Sequence, residues 1–190
     1  SNPRISYDNK YWYISVGIEQ EENQEELTDI SLGIDLGLKD LAICSDGIVY
    51  KNINKTYMVR KIEKRLKRLQ KQVSRKYEKN KKGKEYVKTK NIIKLEKQIQ
   101  QVHRRLANIR NNYLHQTTTN IVKTKPYRVV IEDLAVSDMM KNKHLSDAIR
   151  KQGFSEFRRQ LEYKCNFRGI KFVVADRFYP SSKSCSQCGK

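Results

Sequence analysis

The chain has 190 residues and a formal net charge of +19, with 40 lysine and arginine residues against 21 aspartate and glutamate residues. Its four cysteines are too few for the disulfide framework of a small secreted domain. No apolar run approaches the roughly 20 residues that span a bilayer, and no signal peptide is visible. The composition therefore excludes a membrane-spanning protein and indicates a soluble, cytoplasmic one.

The N-terminal segment predicts one strand followed by an acidic linker. The chain opens on Ser1-Asn2-Pro3, which looks like a processed or engineered end, so the first few residues enter no fold prediction. Residues 10–18, KYWYISVGI, alternate and are rich in β-formers, which predicts a strand. The stretch EQEENQEELTD predicts an exposed linker. Residues 1–30 are therefore assigned to a remnant strand and a linker that precede the main domain.

Three short strands are predicted next, at residues 32–37, 41–45 and 48–52. Only a few residues separate them, and Asp46-Gly47 is a favourable hairpin turn. This spacing predicts an antiparallel meander.

The middle of the chain predicts two long helices joined by a charged turn that contains Gly83. In the first helix, apolar residues recur in steps of three and four at Val59, Ile62, Leu66, Leu69 and Val73. The second helix has the same steps at Ile92, Leu95, Ile99, Val102, Leu106, Ile109 and Tyr113. Because such steps place apolar side chains on one face, we expect an antiparallel helical hairpin over residues 55–115.

This predicted hairpin carries 21 basic and 4 acidic side chains, a balance of +17. A surface of that charge repels itself unless a polyanion binds it, which favours a nucleic acid over a merely solvated face. A membrane surface fits less well because the apolar stripes are narrow and lack aromatic anchors. The candidate nucleic-acid-binding residues are Lys79, Lys81, Lys82, Lys84, Arg104, Arg105 and Arg110.

After the hairpin the pattern predicts strand, loop, helix and strand. Residues 127–134 form a buried strand, and the polar residues 135–146 form a loop. A helix face follows, made of Phe154, Phe157, Leu161 and Cys165, with Gly169 placed to end the helix. Residues 170–176 form the last strand. The whole order predicts an α/β fold whose sheet has a mixed edge.

Two carboxylates in these strands predict a metal site. In the first meander strand, Asp35 lies on the face opposite the apolar residues, between glycines that leave room beside it. Glu132 lies near the end of the 127–134 strand. If the two strands are neighbours, these carboxylates converge, and Mg²⁺ is the cation that such oxygen ligands prefer. The alternative is that both are ordinary strand-end acids. By strand periodicity Asp133 faces the opposite side, and Asp176 is interpreted as a structural or turn acid.

The cysteines fall into two groups. Cys44 and Cys165 lie in apolar surroundings and are interpreted as core residues. Cys185 and Cys188 form a C-x-x-C pair, but a closed zinc site needs four ligands. No histidine of the chain has ligand spacing relative to this pair. By itself the pair leaves open half of a zinc site and a thioredoxin-like redox pair, which needs the motif at the start of a helix.

Together, GIDLGLKDLA, the basic hairpin, VVIEDL and FRRQLEYKCNFRGIKFVVADRFYPSSKSCSQCG resemble the C-terminal part of the TnpB family. These are transposon-encoded, RNA-guided DNA nucleases related to the type V CRISPR effectors. The resemblance implies an RNase H-like (RuvC) mixed sheet over residues 31–178, with the hairpin inserted at 55–115. It also implies that Asp35 and Glu132 are catalytic and bind two Mg²⁺ ions, with a DNA target and a guide RNA as partners.

The resemblance also implies what this chain lacks. Residues 179–190 correspond to the first half of a zinc ribbon, so Cys185 and Cys188 would be half of a Zn²⁺ site. The second C-x-x-C and a third catalytic aspartate of the family would follow Lys190, and most of the N-terminal recognition region would precede the strand that contains Trp12. The fragment is therefore expected to be nearly inactive by itself.

Three functions remain open from the sequence. The first is the nuclease core of an RNA-guided DNA endonuclease. The second is a non-catalytic nucleic-acid-binding protein in which the acids are structural, and the third is a transposase that performs strand transfer. Metal-dependent cutting separates the first from the second, and a requirement for guide RNA separates it from the third.

Overall fold

The computed structural model describes residues 2–8, 10–18 and 26–176. The chain divides into two units, one formed by Ser1–Glu21 with Asn54–Asn112 and the other by Glu22–Ile53 with Tyr113–Lys190. No helix among the described residues is both long enough and apolar enough to cross a membrane.

Nine strands and five α-helices are formed by the described residues. In chain order they are β1 (Arg4–Tyr7), β2 (Trp12–Ser15), β3 (Ser31–Leu36), β4 (Asp40–Cys44), β5 (Val49–Lys51), α1 (Tyr57–Lys79), β6 (Lys81–Lys82), β7 (Glu85–Tyr86), α2 (Lys90–Lys123), β8 (Arg128–Glu132), α3 (Val136–Lys141), α4 (Ser146–Gln152), α5 (Phe154–Phe167) and β9 (Lys171–Ala175). A short 3-10 turn, Ile53–Lys55, precedes α1.

The second unit is built on a five-stranded mixed sheet with the order β5-β4-β3-β8-β9. The predicted meander is confirmed, since β3, β4 and β5 pair antiparallel. Strand β8 pairs parallel with β3, and β9 pairs parallel with β8. The chain crosses from the meander to β8 through α1 and α2, so β3 lies at the centre of the sheet between an antiparallel and a parallel neighbour.

The core of this unit lies on one face of the sheet. Leu32, Ile34 and Leu36 of β3 are buried, as the alternating pattern predicted. Buried side chains of α5 and of the C-terminal part of α2 belong to the same core: Leu114, Ile121, Val122, Phe154, Phe157, Leu161 and Cys165. The opposite face of β3 carries Gly33 and Asp35, which leaves it available for a site.

Helix α5 ends as its sequence predicted. The amide of Ile170 donates to the Cys165 carbonyl at 2.9 Å and the amide of Gly169 donates to the Asn166 carbonyl at 3.2 Å. These are the two hydrogen bonds of a Schellman motif, which needs a left-handed residue after the helix. Gly169 supplies it with a φ of +70°.

A second left-handed glycine, Gly153, separates α4 from α5 with a φ of +71°. A Cβ atom there would approach Leu114 Cδ1 at 3.2 Å, whereas a Cβ at Gly169 would meet no atom within 4 Å. A left-handed conformation costs a non-glycine residue roughly 1–2 kcal/mol. We therefore expect Gly169→Ala to lower the free energy of unfolding by about that much, and Gly153→Ala to lower it further. Urea unfolding of the two variants checks this, and equal losses would contradict the role of the Leu114 contact.

The first unit contains the predicted helical hairpin. Val59, Ile62, Leu66 and Leu69 of α1 are buried, and Val73 is half-buried. Ile92, Val102 and Leu106 of α2 are buried, and Leu95, Ile99 and Ile109 are half-buried. Tyr113, the last member of the predicted stripe, belongs to the second unit and packs against its core. Two contacts establish the antiparallel direction. Near the end of α1, Tyr77 donates to Glu96 of early α2 at 2.6 Å. Arg110, further along α2, donates to Glu63 near the start of α1 at 2.8 Å, so the two helices run in opposite directions.

Three expectations differ from the structure. Residues 4–7 form β1, paired antiparallel with β2, in a segment for which the sequence predicts no element. The predicted loop 135–146 is wrong, because it contains α3 and the start of α4. Val136 and Met139 pack against the core one helical turn apart, which stabilises α3. Helix α2 continues to Lys123, past the predicted hairpin end at 115.

Candidate active site

The paired strands β3 and β8 bring Asp35 and Glu132 together. Their parallel register aligns Ile34 with Ile131, and both of these side chains are buried. Because successive side chains alternate between the faces of a sheet, Asp35 and Glu132 each come one position later on the opposite face. The Leu36 amide donates to Glu132 Oε1 at 3.3 Å, which holds the glutamate against β3.

The two carboxylates are close enough to influence one another. Burial, first, raises the pKa of the Glu132 carboxyl, and the charge of Asp35 and a hydrogen bond to its side chain raise it further. The hydrogen bond from the Leu36 amide opposes this shift. Adjacent carboxylates whose charges are partly desolvated repel each other unless a cation is placed between them. The site therefore has the electrostatic character of a cation site.

The pair faces an open cavity of about 700 Å³. Its lining includes Asp35, Glu132 and Asp133 together with Asp176, which follows β9. Asp133 was predicted to face away from Glu132, but β8 ends at Glu132 and the strand alternation no longer applies beyond it. Sequence reasoning did not place Asp176 near the pair. The signal that could have done so is its position directly after β9, the parallel neighbour of β8.

Beside Asp35 the sheet leaves space. A Cβ atom at Gly33 would make only ordinary contacts with Ser45, at 3.8 Å and 3.9 Å. Within the described residues, no group of three or more histidine, cysteine, aspartate or glutamate side chains is arranged to hold a metal ion. The arrangement found is thus a carboxylate pair, with two further acids at the rim of its cavity.

Removing one charge of this pair should stabilise the fold at neutral pH. Because the folded-state pKa of Glu132 is raised, folding favours its protonated form. The loss of folding free energy caused by its ionisation is therefore absent at acid pH and appears as the pH rises through that pKa. We expect Glu132→Gln to raise Tm at pH 7 without divalent cations, with the gain vanishing towards pH 4. Each kcal/mol corresponds to about 2–4 °C for a chain of this size.

Thermal melts of Glu132→Gln and of Glu162→Gln, both in EDTA, make the comparison. Glu162 is exposed on α5, so its variant controls for the loss of one negative charge from a strongly basic protein. A Tm for Glu132→Gln that is unchanged or lowered at pH 7 relative to this control would contradict the repulsion.

The four predicted lysines are exposed at the hairpin tip, defined as residues 79–86. Lys79 ends α1, Lys81 and Lys82 form β6, and Lys84 lies in the turn to β7. The tip is held by aromatic contacts. The rings of Tyr77 and Tyr86 meet edge to face at 6.0 Å, and Lys81 Nζ lies 5.3 Å from the centre of the Tyr86 ring. The lysines are therefore presented by an ordered element.

Two of the three arginines predicted to bind nucleic acid are engaged in ion pairs within their own unit, and their assignment stays a prediction. Arg104 donates to both carboxylate oxygens of Asp8, at 3.0 Å and 2.9 Å. Arg110 donates to Glu63 at 2.8 Å and to Asn54 at 2.7 Å. Their side chains are only 23% and 22% exposed. Arg105 is exposed, as expected.

The cysteine pair predicted to bind zinc, Cys185 and Cys188, lies outside the described residues, so that assignment stays a prediction. The other two cysteines are buried, as predicted. Burial raises the pKa of the Cys44 thiol to about 11 and that of Cys165 to about 12. Both are therefore protonated, unreactive core residues at neutral pH.

Two protein families match this sequence. Residues 13–143 match OrfB_IS605, described as probable transposase, and residues 154–190 match the Cas12f1-like TNB domain. The first match covers both candidate carboxylates and the whole helical hairpin. The second covers α5, β9 and the segment that contains the C-x-x-C pair.

Curated relatives extend over almost all of this chain. A "putative RNA-guided DNA endonuclease" of Streptomyces pristinaespiralis is 35% identical over 178 residues, covering 94% of this chain and 41% of the relative. The "putative RNA-guided DNA endonuclease InsQ" of Escherichia coli K12 is 35% identical over 204 residues, covering 99% and 47%. The chain therefore spans less than half the length of these relatives.

Solved structures share the fold. One is a chain of a CRISPR-Cas12f ternary complex, with a TM-score of 0.58, 23% identity, and coverage of 94% of this chain and 34% of that chain. Another is a chain of a Cas12f1-sgRNA-target DNA complex, with a TM-score of 0.59, 19% identity, and coverage of 94% and 35%. At these identities the likeness establishes the fold of the chain.

Proposed function

This chain belongs to the OrfB_IS605 family of probable transposases, and from that premise we propose that it is the nuclease core of an RNA-guided DNA endonuclease. The observation that carries the proposal is the pairing of Asp35 with Glu132 across the parallel strands β3 and β8. A carboxylate pair on the solvent face of two adjacent strands has no evident structural use, because each charge makes ionisation of the other more costly.

The fold that we propose for this core is RNase H-like, of the RuvC type. The order β5-β4-β3-β8-β9, with an antiparallel meander followed by parallel strands, supports it. So does the position of the acids, with Asp35 on the central strand and Glu132 at the end of its parallel neighbour. Ligands of α/β sheets commonly bind at the carboxyl ends of the strands, where the order of connection reverses.

The cation that fits the site is Mg²⁺. Oxygen ligands from one or two carboxylates, completed by substrate phosphate and water, are its usual environment in nucleases. Asp35 is exposed and can reach metal and phosphate, while Glu132 is half-buried and held by the Leu36 amide. Asp35 and Glu132 would hold and orient the cation, and bound Mg²⁺ would supply activation of the attacking water and neutralisation of the leaving oxygen.

Nucleic acid is the proposed partner, as both a guide RNA and a DNA target. The relatives are named for RNA-guided action on DNA. In this chain the exposed basic residues Lys79, Lys81, Lys82, Lys84 and Arg105 provide phosphate contacts on the first unit. Contacts of this kind position a strand without reading its bases, which suits a protein whose sequence choice is made by base pairing.

A zinc site is also proposed at Cys185 and Cys188. Thiolates of a C-x-x-C pair are half of the four ligands of a structural zinc centre.

The decisive experiment uses a protein of full family length that contains this segment, with guide RNA and a matching DNA duplex. We expect cleavage that needs the guide and a divalent cation, ceases in EDTA, and leaves hydrolysed ends. Cleavage without the guide that joins DNA ends would favour a strand-transfer transposase. Guide-dependent binding without any cutting in Mg²⁺ or Mn²⁺ would contradict the nuclease.

A further inference from the structure

A second cavity, of about 430 Å³, lies in the same unit beside the first. The two cavities share Ile131, Glu132, Leu134 and Ala135 as wall residues, so they adjoin where β8 ends. The second cavity is bordered on its other side by α5, including Ser155 and Arg158. A strand whose phosphate was held at Glu132 through a cation would therefore have its neighbouring backbone close to this cavity.

Arg158 presents a basic group in this cavity. Its Nη1 donates to Asp133 Oδ1 at 3.1 Å. The side chains of Arg158 and Asp133 are 43% and 38% exposed. A guanidinium has five N–H donors, so most of the donors of Arg158 remain available to a ligand.

The next residue, Arg159, differs in this respect. Its Nε and Nη2 donate to the two carboxylate oxygens of Glu156, at 2.8 Å and 2.7 Å. This pairing raises the pKa of Arg159. The two N–H groups with which Arg159 could bind a phosphate in bidentate fashion therefore already donate to Glu156. Arg158, in contrast, donates one hydrogen bond to the partly exposed Asp133.

We infer that Arg158 binds a backbone phosphate of the nucleic acid strand next to the one that a bound cation would hold at Asp35 and Glu132. The inference rests on the proposed function, because it assumes that a strand crosses the carboxylate pair. Arg158 is then a substrate-binding residue, and Asp133 is the carboxylate that occupies it until the strand arrives.

The exchange of partners is chemically reasonable. An exposed ion pair with one hydrogen bond contributes little and is easily given up. Guanidinium and phosphate match in a bidentate, charge-assisted geometry that a lysine cannot reproduce. The hydroxyls of Ser137 and Ser155 border the same cavity and are groups of the kind that donate to phosphate.

The test measures binding of a fluorescent single-stranded oligodeoxynucleotide by the 190-residue chain, in Ca²⁺ and at several salt concentrations. Losing one phosphate contact lowers the slope of log K against log salt by about 0.7, or about fivefold in affinity at 0.1 M salt. We expect this change for Arg158→Ala. Arg158→Lys should keep the salt slope, because it keeps the positive charge. It should bind more weakly than the wild type, because lysine lacks the bidentate geometry of the guanidinium.

Asp133→Asn should act in the opposite direction and tighten binding, because it releases Arg158 from its competitor. The matched controls are Arg150→Ala and Asp147→Asn, which alter an exposed ion pair on α4 away from the cavity. The double variant Asp133→Asn/Arg158→Ala should show no gain beyond that of Asp147→Asn.

The inference is overturned if Arg158→Ala binds with the slope of Arg150→Ala, or if Asp133→Asn binds no more tightly than Asp147→Asn. These readouts involve no cleavage. Guide-dependent cutting together with an unchanged salt slope for Arg158→Ala would therefore contradict the inference about Arg158 while supporting the proposed function. A lowered salt slope for Arg158→Ala in a protein that never cuts DNA would contradict the proposed function while supporting a phosphate contact at Arg158.

Discussion

Glu132→Gln and Asp35→Asn should each reduce divalent-cation-dependent DNA cleavage by roughly 10³-fold or more, while leaving DNA binding intact. Metal stabilisation of the transition state supplies several kcal/mol, and each 1.4 kcal/mol is a tenfold change in rate. Each variant keeps the shape of its side chain and removes one of the charges that hold the cation. The rate is measured under single-turnover conditions with guide RNA, in a protein of full family length.

The matched control is Asp138→Asn. Asp138 lies on α3, pairs with Lys141 at 2.8 Å and is 60% exposed, so its variant makes the same charge change outside the carboxylate pair. The double variant should be no slower than the slower single variant, because residues that act as a unit are not additive. A Glu132→Gln enzyme that cuts at the rate of the control would exclude this residue from the chemistry.

Replacing Lys79, Lys81, Lys82 and Lys84 together by alanine should weaken binding of all nucleic acid sequences alike. Four lost phosphate contacts at about 0.7 each on a single strand would lower the log–log salt slope by up to about 3. Sequence preference should not change, since contacts to phosphate carry no base information. Anisotropy titrations of two unrelated oligonucleotides at several salt concentrations measure both quantities.

An equal charge can be removed from the other unit as a control, by alanine at four exposed lysines: Lys123, Lys141, Lys143 and Lys171. If the hairpin tip is a specific contact surface, the tip variant loses more affinity and more slope than this control. Equal losses would mean that only the net charge of +19 matters. No loss in the tip variant would mean that its lysines form a solvated face.

Much of the fold follows from local patterns in the sequence. The alternation of Leu32, Ile34 and Leu36 identified the buried face of β3, and the steps from Val59 to Leu69 identified that of α1. Gly169 was recognised as the end of α5, because a Schellman motif is formed by neighbouring residues. Patterns of this kind need no knowledge of distant parts of the chain.

What the sequence could not give depends on contacts between distant residues. Arg104 appears in the sequence as one more exposed basic residue, but its partner Asp8 is brought to it by β1 and β2. Strand alternation predicts that Asp133 faces away from the site, but β8 ends at Glu132 and Asp133 lines the cavity. Helix α3 was missed because only Val136 and Met139 stabilise it against the core, within an otherwise polar stretch.

The carboxylate pair lies between these two cases. Alternation placed Asp35 and Glu132 on the solvent faces of their strands, but their meeting required β3 and β8 to be neighbours. In the structure the two strands are neighbours and pair in parallel over four residue pairs. The pairing of distant strands is a tertiary property, so the sequence predicts the carboxylate pair only if β3 and β8 are assumed to be neighbours.

Binding of Mn²⁺ to this chain, followed by paramagnetic broadening of its amide NMR signals, tests the central claim most directly. If Asp35 and Glu132 hold the cation, the signals of Leu36 and Asp133 should broaden at low Mn²⁺ concentration. That broadening should disappear in Asp35→Asn and in Glu132→Gln while persisting in Asp138→Asn. Broadening that remains in both site variants, or that appears elsewhere in the described chain and not at Leu36 and Asp133, would contradict a cation site at this pair.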